Sequence, residues 1–237
     1  MTGPWLAIDT ATDVASVAVG TAERPAAMQT IRGARQHAAQ ILPLVQQVLA
    51  LAATQLDQLA GIVVGDGPGS FTGLRIGWAA AKGLAHEREL PVLAVPSLLG
   101  TAHAAAAGDR GPRGPVVVCF DALRGQVFGA IYAFHPGRVE TLVAPDVFTI
   151  ATLAAVAPVP PTLAVGDGAE RYRAEITQWI GREPVDLGTL PPIAGSLLAL
   201  APSAGYPATG EPVYGRPAEA QVKWESRHGR PLPHSSR

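Results

Sequence analysis

Cysteine is nearly absent: the 237 residues contain one, Cys119. A single cysteine excludes an intramolecular disulfide and any cysteine-based metal site. In the apolar run Val116-Val117-Val118-Cys119-Phe120 the thiol reads as a small buried hydrophobe rather than a nucleophile. Charge is scarce as well. Charged residues make up 16%, and 18 basic side chains nearly balance 19 acidic ones, which argues against a broad basic surface for nucleic acid. No apolar run approaches the ~18 residues that span a bilayer, and no basic-then-apolar leader pattern opens the sequence. A soluble, cytoplasmic protein is expected. What is plentiful is apolar side chains, 48%, and turn formers, 26 glycines and 22 prolines. That composition excludes a disordered chain, and the length is enough to bury a core without metal or disulfide staples.

The periodicity predicts an α/β order. Trp5 to Ile8 is a short apolar strand ending at Asp9, and after the polar turn Thr10-Ala11-Thr12-Asp13 a second strand runs from Val14 to Val19. Residues 37–53 carry two helical stripes. Ala38, Ile41, Leu42, Val45, Leu49 and Ala52 form one, and Leu44, Val48 and Leu51 form the other, with Pro43 marking a kink or the first turn. A helix apolar on two faces is buried between layers or bound to another chain. A strand Gly61-Ile62-Val63-Val64 then enters the loop Gly65-Asp66-Gly67-Pro68-Gly69-Ser70-Phe71-Thr72-Gly73. The next helix, from about Leu74 to Arg88, has a small-residue face of Gly73, Gly77, Ala80 and Leu84, and Pro91 to Val95 is a further strand.

The second half repeats this outline. A strand from Val116 to Phe120 ends in Asp121, turns through Ala122-Leu123-Arg124-Gly125, and returns from Gln126 to Tyr132. Val64-Gly65-Asp66-Gly67 has an echo in Val165-Gly166-Asp167-Gly168. Asp121 follows Asp9 by 112 residues and Asp167 follows Asp66 by 101, the drift in loop length that internal duplication leaves. The predicted domains are residues 1–107 and 108–216, joined at the Gly108–Gly114 stretch, with a frayed tail over 217–237. Two such lobes resemble the actin-like, sugar-kinase-like ATPase fold (ASKHA, ribonuclease H-like), in which aspartate-bearing turns from both lobes face a cleft that takes nucleotide phosphate.

Few residues carry chemistry. Four glycines and Pro68 between a strand and a helix expose backbone N–H groups to an anion, or else only allow a tight turn, with Ser70 or Thr72 capping the helix. The loop ends in Leu74-Arg75, so it is not a P-loop, and it lacks the dinucleotide fingerprint. Asp9, Thr10 and Thr12 would hold a metal-bound phosphate or close a hydrogen-bonded turn, and Asp121 has the same two readings. The six histidines include no zinc-hydrolase pair. His37 reads as capping or orienting the first helix, with proton transfer the alternative, and Ser70 misses the nucleophile-elbow position.

Ala7-Ile8-Asp9-Thr10-Ala11-Thr12, His37 with Ile41-Leu42-Pro43, and above all Gly67-Pro68-Gly69-Ser70-Phe71-Thr72-Gly73-Leu74-Arg75-Ile76-Gly77 closely resemble the TsaB (YeaZ) family of the bacterial tRNA threonylcarbamoyladenosine machinery. Pro91 to Pro96, Asp121-Ala122 and Pro212-Val213-Tyr214-Gly215-Arg216 extend the likeness over nearly the whole chain. The resemblance implies a duplicated actin-like fold with a degenerate nucleotide site. It implies a non-catalytic subunit that activates a TsaD-like catalytic partner, joined by a TsaE-like ATPase, meeting tRNA only through the complex and pairing with itself in isolation. No cofactor is then required by this chain, although ADP or ATP would bind weakly or at a subunit boundary, with Asp9, Thr10, Thr12, Gly67, Gly69 and Ser70 as the vestigial phosphate site. The partner face would comprise His37, Ile41, Leu44, Val45, Val48 and Leu51 on the first helix and Ile76, Gly77, Ala80 and Leu84 on the second. No metal site is expected. The sequence departs from the family at Leu123, Gln126 and Val127-Phe128, where arginine, glutamate and Val-Tyr are usual, and at Ala11 and Asp13. The competing readings are a stand-alone sugar-kinase-like phosphotransferase and a peptidase.

Overall fold

A computed structural model describes residues 3–33, 36–107, 114–208, 210–216, 224 and 227–229. β1 (Trp5–Asp9) and β2 (Val14–Gly20) are buried at every position, so both faces of this sheet are covered and the strands read as continuous apolar runs. β2 pairs antiparallel with β1 and with the half-exposed edge strand β3 (Pro25–Arg32). α1 (His37–Leu51) follows. β4 (Gly61–Gly65) lies parallel to β1, α2 (Phe71–His86) comes next, and β5 (Val92–Val95) lies parallel to β4. The two-residue β10 (Tyr206–Pro207) closes the far edge, giving the order β10-β5-β4-β1-β2-β3.

α3 (Ser97–Ala106) leads to the second sheet, β6 (Val116–Asp121), β7 (Val127–His135), β8 (Arg138–Phe148) and β9 (Leu163–Val165), in the order β8-β7-β6-β9. β6 and β7 are antiparallel, β7 and β8 antiparallel, and β6 and β9 parallel. These are the order and the directions of β3-β2-β1-β4, so each half is one copy of the same unit. The expected duplication and the two-lobed actin-like fold are both present.

Three helical layers enclose the two sheets. α1 and α2 cover one face of the first sheet, burying Leu6, Ile8, Val17, Ile62 and Val64. α4 (Ile150–Val156), α5 (Asp167–Arg171) and α6 (Arg173–Ile180) cover the outer face of the second, over Val117, Cys119 and Ile131. Between the sheets lie α3 and α7 (Ile193–Ala204) in one shared core with Trp5, Val63, Val118, Phe120 and Tyr132. Each such leucine, isoleucine or valine removed from water contributes roughly 1.5–3 kcal/mol. Sequence order places 108–216 in the second lobe, yet α7 packs on β1 and β2 and β10 joins the first sheet. The reason is physical: α7 is apolar nearly all round and is covered only with the first sheet on one side and α3 on the other. The expected tail over 217–237 lies outside the described residues except at 224 and 227–229.

Candidate functional site

β1 carries Asp9 to the end of the first sheet, where it is 1% exposed. Its Oδ2 accepts the Ser97 hydroxyl at 2.6 Å and its Oδ1 the Ala11 N–H at 3.2 Å. Burial pushes this carboxyl above the usual carboxylate range, against the opposing effect of both bonds. Ser97, at the start of α3, also accepts the Gly67 N–H at 3.2 Å and donates its own N–H to Gly67 O at 2.9 Å. The sequence offered only a serine after Pro96, so this partner of Asp9 was not legible.

The glycine loop packs on the β1–β2 turn. Thr10 donates its hydroxyl to Gly73 O at 2.7 Å, and the Ser70 N–H reaches Ala11 O at 2.7 Å. A Cβ at Gly69 would stand 2.3 Å from Ala11 O, one at Gly73 2.2 Å from Thr10 O, and one at Gly77 2.3 Å from Thr10 Oγ1. Ser70 caps α2 by accepting the Gly73 N–H, and the Thr12 hydroxyl bonds Val14. The side chains of Asp9, Thr10, Thr12 and Ser70 and the backbone of Gly67 are thus engaged within the chain, and Gly69 is fitted against Ala11.

The second turn is more open. Asp121 accepts the Leu123 N–H at 3.0 Å and pairs at 2.7 Å with Arg171, which is 56% exposed. Asp167 Oδ1 accepts the N–H groups of Asp121 and Gly168 at 3.1 and 2.9 Å. Burial pushes its carboxyl up to about 6, with the carboxylates of Asp121 and of Asp13 from the first lobe adding to the rise. Leu123, Arg124 and Gly125 all have positive φ, and the Leu123 side chain, standing where the family has arginine, faces solvent at 48% exposure. Gln126 contributes its backbone, closing the turn with Ala122 and Leu123. Cys119 is buried, which raises its thiol. Among the described residues no group of three or more metal-capable side chains converges.

The helix face expected to meet a partner requires correction. His37, Ile41, Leu44, Val45 and Val48 are buried in the first lobe's own core, because β2 and β3 take that stripe of α1. His37 Nε2 sits 3.1 Å from Asp13 O, so this histidine pins α1 to the turn. Gly77 and Ala80 also face inward, and what Gly77 lets approach is the chain's own Thr10 side chain. Ile76 and Leu84 are half-buried. The residues left outward on α1 are Ala38, Ala39, Leu42, Pro43, Ala50 and Leu51 among polar neighbours, Leu42 at 49% and Leu51 at 63% exposure. α2 presents Phe71, Arg75, Ala79 and Lys82.

A family model described as TsaD, tRNA N6-adenosine threonylcarbamoyltransferase, matches residues 31–179. The tRNA threonylcarbamoyladenosine biosynthesis protein TsaB of Escherichia coli is 36% identical over 151 residues, 60% of this chain and 63% of the relative. The protein of that name from Bacillus subtilis is 36% identical over 141 residues, 60% of this chain and 59% of the relative. The chain belongs to this family, in its TsaB (YeaZ) branch. The solved structure of YeaZ from Pseudomonas aeruginosa superposes with a TM-score of 0.72 at 29% identity, covering 90% of this chain and all of that one. The matched regions span between about half and just under two thirds of the curated relatives' lengths. Among the described residues no helix is long and apolar enough to cross a membrane.

Proposed function

We propose that this chain is a partner subunit in tRNA threonylcarbamoyladenosine formation, binding a TsaD-like catalytic subunit and supplying no catalytic residue of its own. The observation that carries this reading is α1, where Leu42 and Leu51 remain exposed on opposite flanks of a helix whose inner stripe is already used by the core. Isolated apolar side chains on a surface are ordinary, but two on α1 together with an exposed phenylalanine on the neighbouring α2 have the composition of an interface. The names of the family's curated relatives point to the same pathway. The reading is further supported by the first-lobe site, whose polar groups are occupied by the chain itself. A TsaE-like ATPase joins the assembly, tRNA is met through the complex, and the isolated chain pairs through the same helix. Nucleotide is not required by this chain.

The test is a reconstituted synthesis with tRNA, threonine, bicarbonate, ATP and the other three proteins, with and without this one. Modified base is expected only in its presence. Equal yield without it ends the proposal, and ATP turnover by the isolated chain would then favour the phosphotransferase reading. Leu42→Asp and Leu51→Asp are expected to abolish co-purification with the catalytic subunit while changing stability by less than about 0.5 kcal/mol. Leu44→Asp instead places a charge in the core and is expected to unfold the protein.

A further inference from the structure

Residues 205–208 and 210–216, which follow α7, lie across the molecule from one lobe to the other. On the first lobe, β10 pairs with β5, and the Ala208 and Val213 N–H groups donate to Val92 O and Asp66 O at 3.0 and 2.9 Å. Lys82 bonds Gly210 O and the Tyr206 hydroxyl bonds Asp66. Arg75 donates to the Tyr214 hydroxyl at 3.0 Å and lies over the Phe71 ring, which in turn packs against Tyr214 at 4.6 Å. The segment then passes between the lobes at Gly215. A Cβ there would stand 2.7 Å from Pro68 of the glycine loop and 2.7 Å from the Phe128 ring of the second lobe, and φ is +74°. Arg216 completes the crossing by donating to Ala122 O in the Asp121 turn and lying over Phe128.

The attachment is extensive in number but shallow. Tyr206 and Val213 remain 36% and 51% exposed, β10 is two residues long, and beneath it the buried Asp66 Oδ1 has no partner. A segment whose apolar packing comes from the partly buried Ala208 and Tyr214 belongs to the low-stability end of a structure. We propose that residues 205–208 and 210–216 are a releasable latch between the lobes. Seated, the latch fixes the glycine loop against the Asp121 turn; released, it frees both at once. The two ends are unequal: the first lobe is bonded by Tyr206, Ala208, Val213 and Tyr214, the second by Arg216, so release begins there.

Amide hydrogen exchange of the full chain tests this. In the unaltered protein the Ala208 and Val213 amides are expected to exchange at least about 100-fold faster than the Ile62 amide of β4, showing that the segment opens without global unfolding. Arg216→Ala is expected to speed exchange at Ala122 and Gln126 by about tenfold while leaving Leu153 of α4 unchanged. Gly215→Val, which wedges the segment away from Pro68 and Phe128 together, is expected to extend that acceleration to Ser97, whose N–H bonds Gly67. Exchange of Val213 at the rate of Ile62 would show a static part of the core and overturn the proposal, as would Arg216→Ala leaving Ala122 unaffected. If Gly215→Val does not fold, the first two measurements decide.

Discussion

The two aspartate turns descend from one unit and now behave differently. In the first lobe Asp9 is sealed, with Ser97 on one oxygen, the turn backbone on the other and the glycine loop and the start of α2 pressed onto Thr10 and Ala11. In the second, the loop between β9 and α5 is reduced to Gly166, and Asp121 is left with an exposed arginine for a partner. The same motif therefore has two uses: in one copy its polar groups hold a structure together, and in the other they remain near solvent. The difference lies in what packs over each turn rather than in the turn residues themselves.

The sharpest way to break that contrast is with alanine at glycine. Gly73→Ala forces a Cβ against the Thr10 carbonyl and is expected to cost roughly 3 kcal/mol or more in urea unfolding. Gly125→Ala in the second turn meets nothing within 4 Å and is expected to cost only the backbone strain of its positive φ, about 1 kcal/mol. Equal losses would mean that the first turn is not sealed. Ser97→Ala leaves the buried Asp9 oxygen and the Gly67 N–H unpaired, for an expected loss of about 2–3 kcal/mol by the same measurement.

Asp167 sharpens the comparison through pH. Its carboxyl ionises at about 6 in the folded protein against 3.8 unfolded, so the folded state holds the proton more tightly. Its contribution is complete below pH ~4, declines as pH rises to ~6 and is gone above that. Asp167→Asn is expected to flatten this part of the stability profile, raising stability at pH 7 by about 2 kcal/mol. An unchanged slope between pH 4 and 6 would remove Asp167 as its source. The smallest effect belongs to Arg171→Ala, where the arginine is more than half exposed and less than about 1 kcal/mol is expected.

Much of this was legible because it was periodic. β1, β2, α1, β4, α2 and the β6–β7 hairpin announce themselves by strict spacing, and the echo of Asp66 in Asp167 revealed the duplication. The inward side of α1 did not, since its two stripes are equally apolar and only the position of β2 and β3 decides that Leu44 is inside and Leu42 outside. β3, with Gln29, Thr30 and Arg32, has too little apolar alternation to mark an edge strand. α3 and α7 have apolar residues on every side, so no face stands out, and both helices were missed. Within the glycine loop the residues were legible but their use was not. Glycines that admit an anion and glycines that admit a neighbouring carbonyl have the same spelling, and the distances to Thr10 and Ala11 separate the two.

The middle layer has a consequence for how the protein is made. The face of the first sheet that carries Trp5, Ala7 and Val63 is finished by α7, which begins at residue 193. During synthesis the first half therefore emerges with one apolar sheet face uncovered, and it stays so until most of the second half has followed. The nascent chain at that stage is a substrate for hydrophobic chaperones, and a chain stopped before α7 is expected to aggregate rather than yield a free first lobe. The lobes are duplicates in pattern, but they are completed only together.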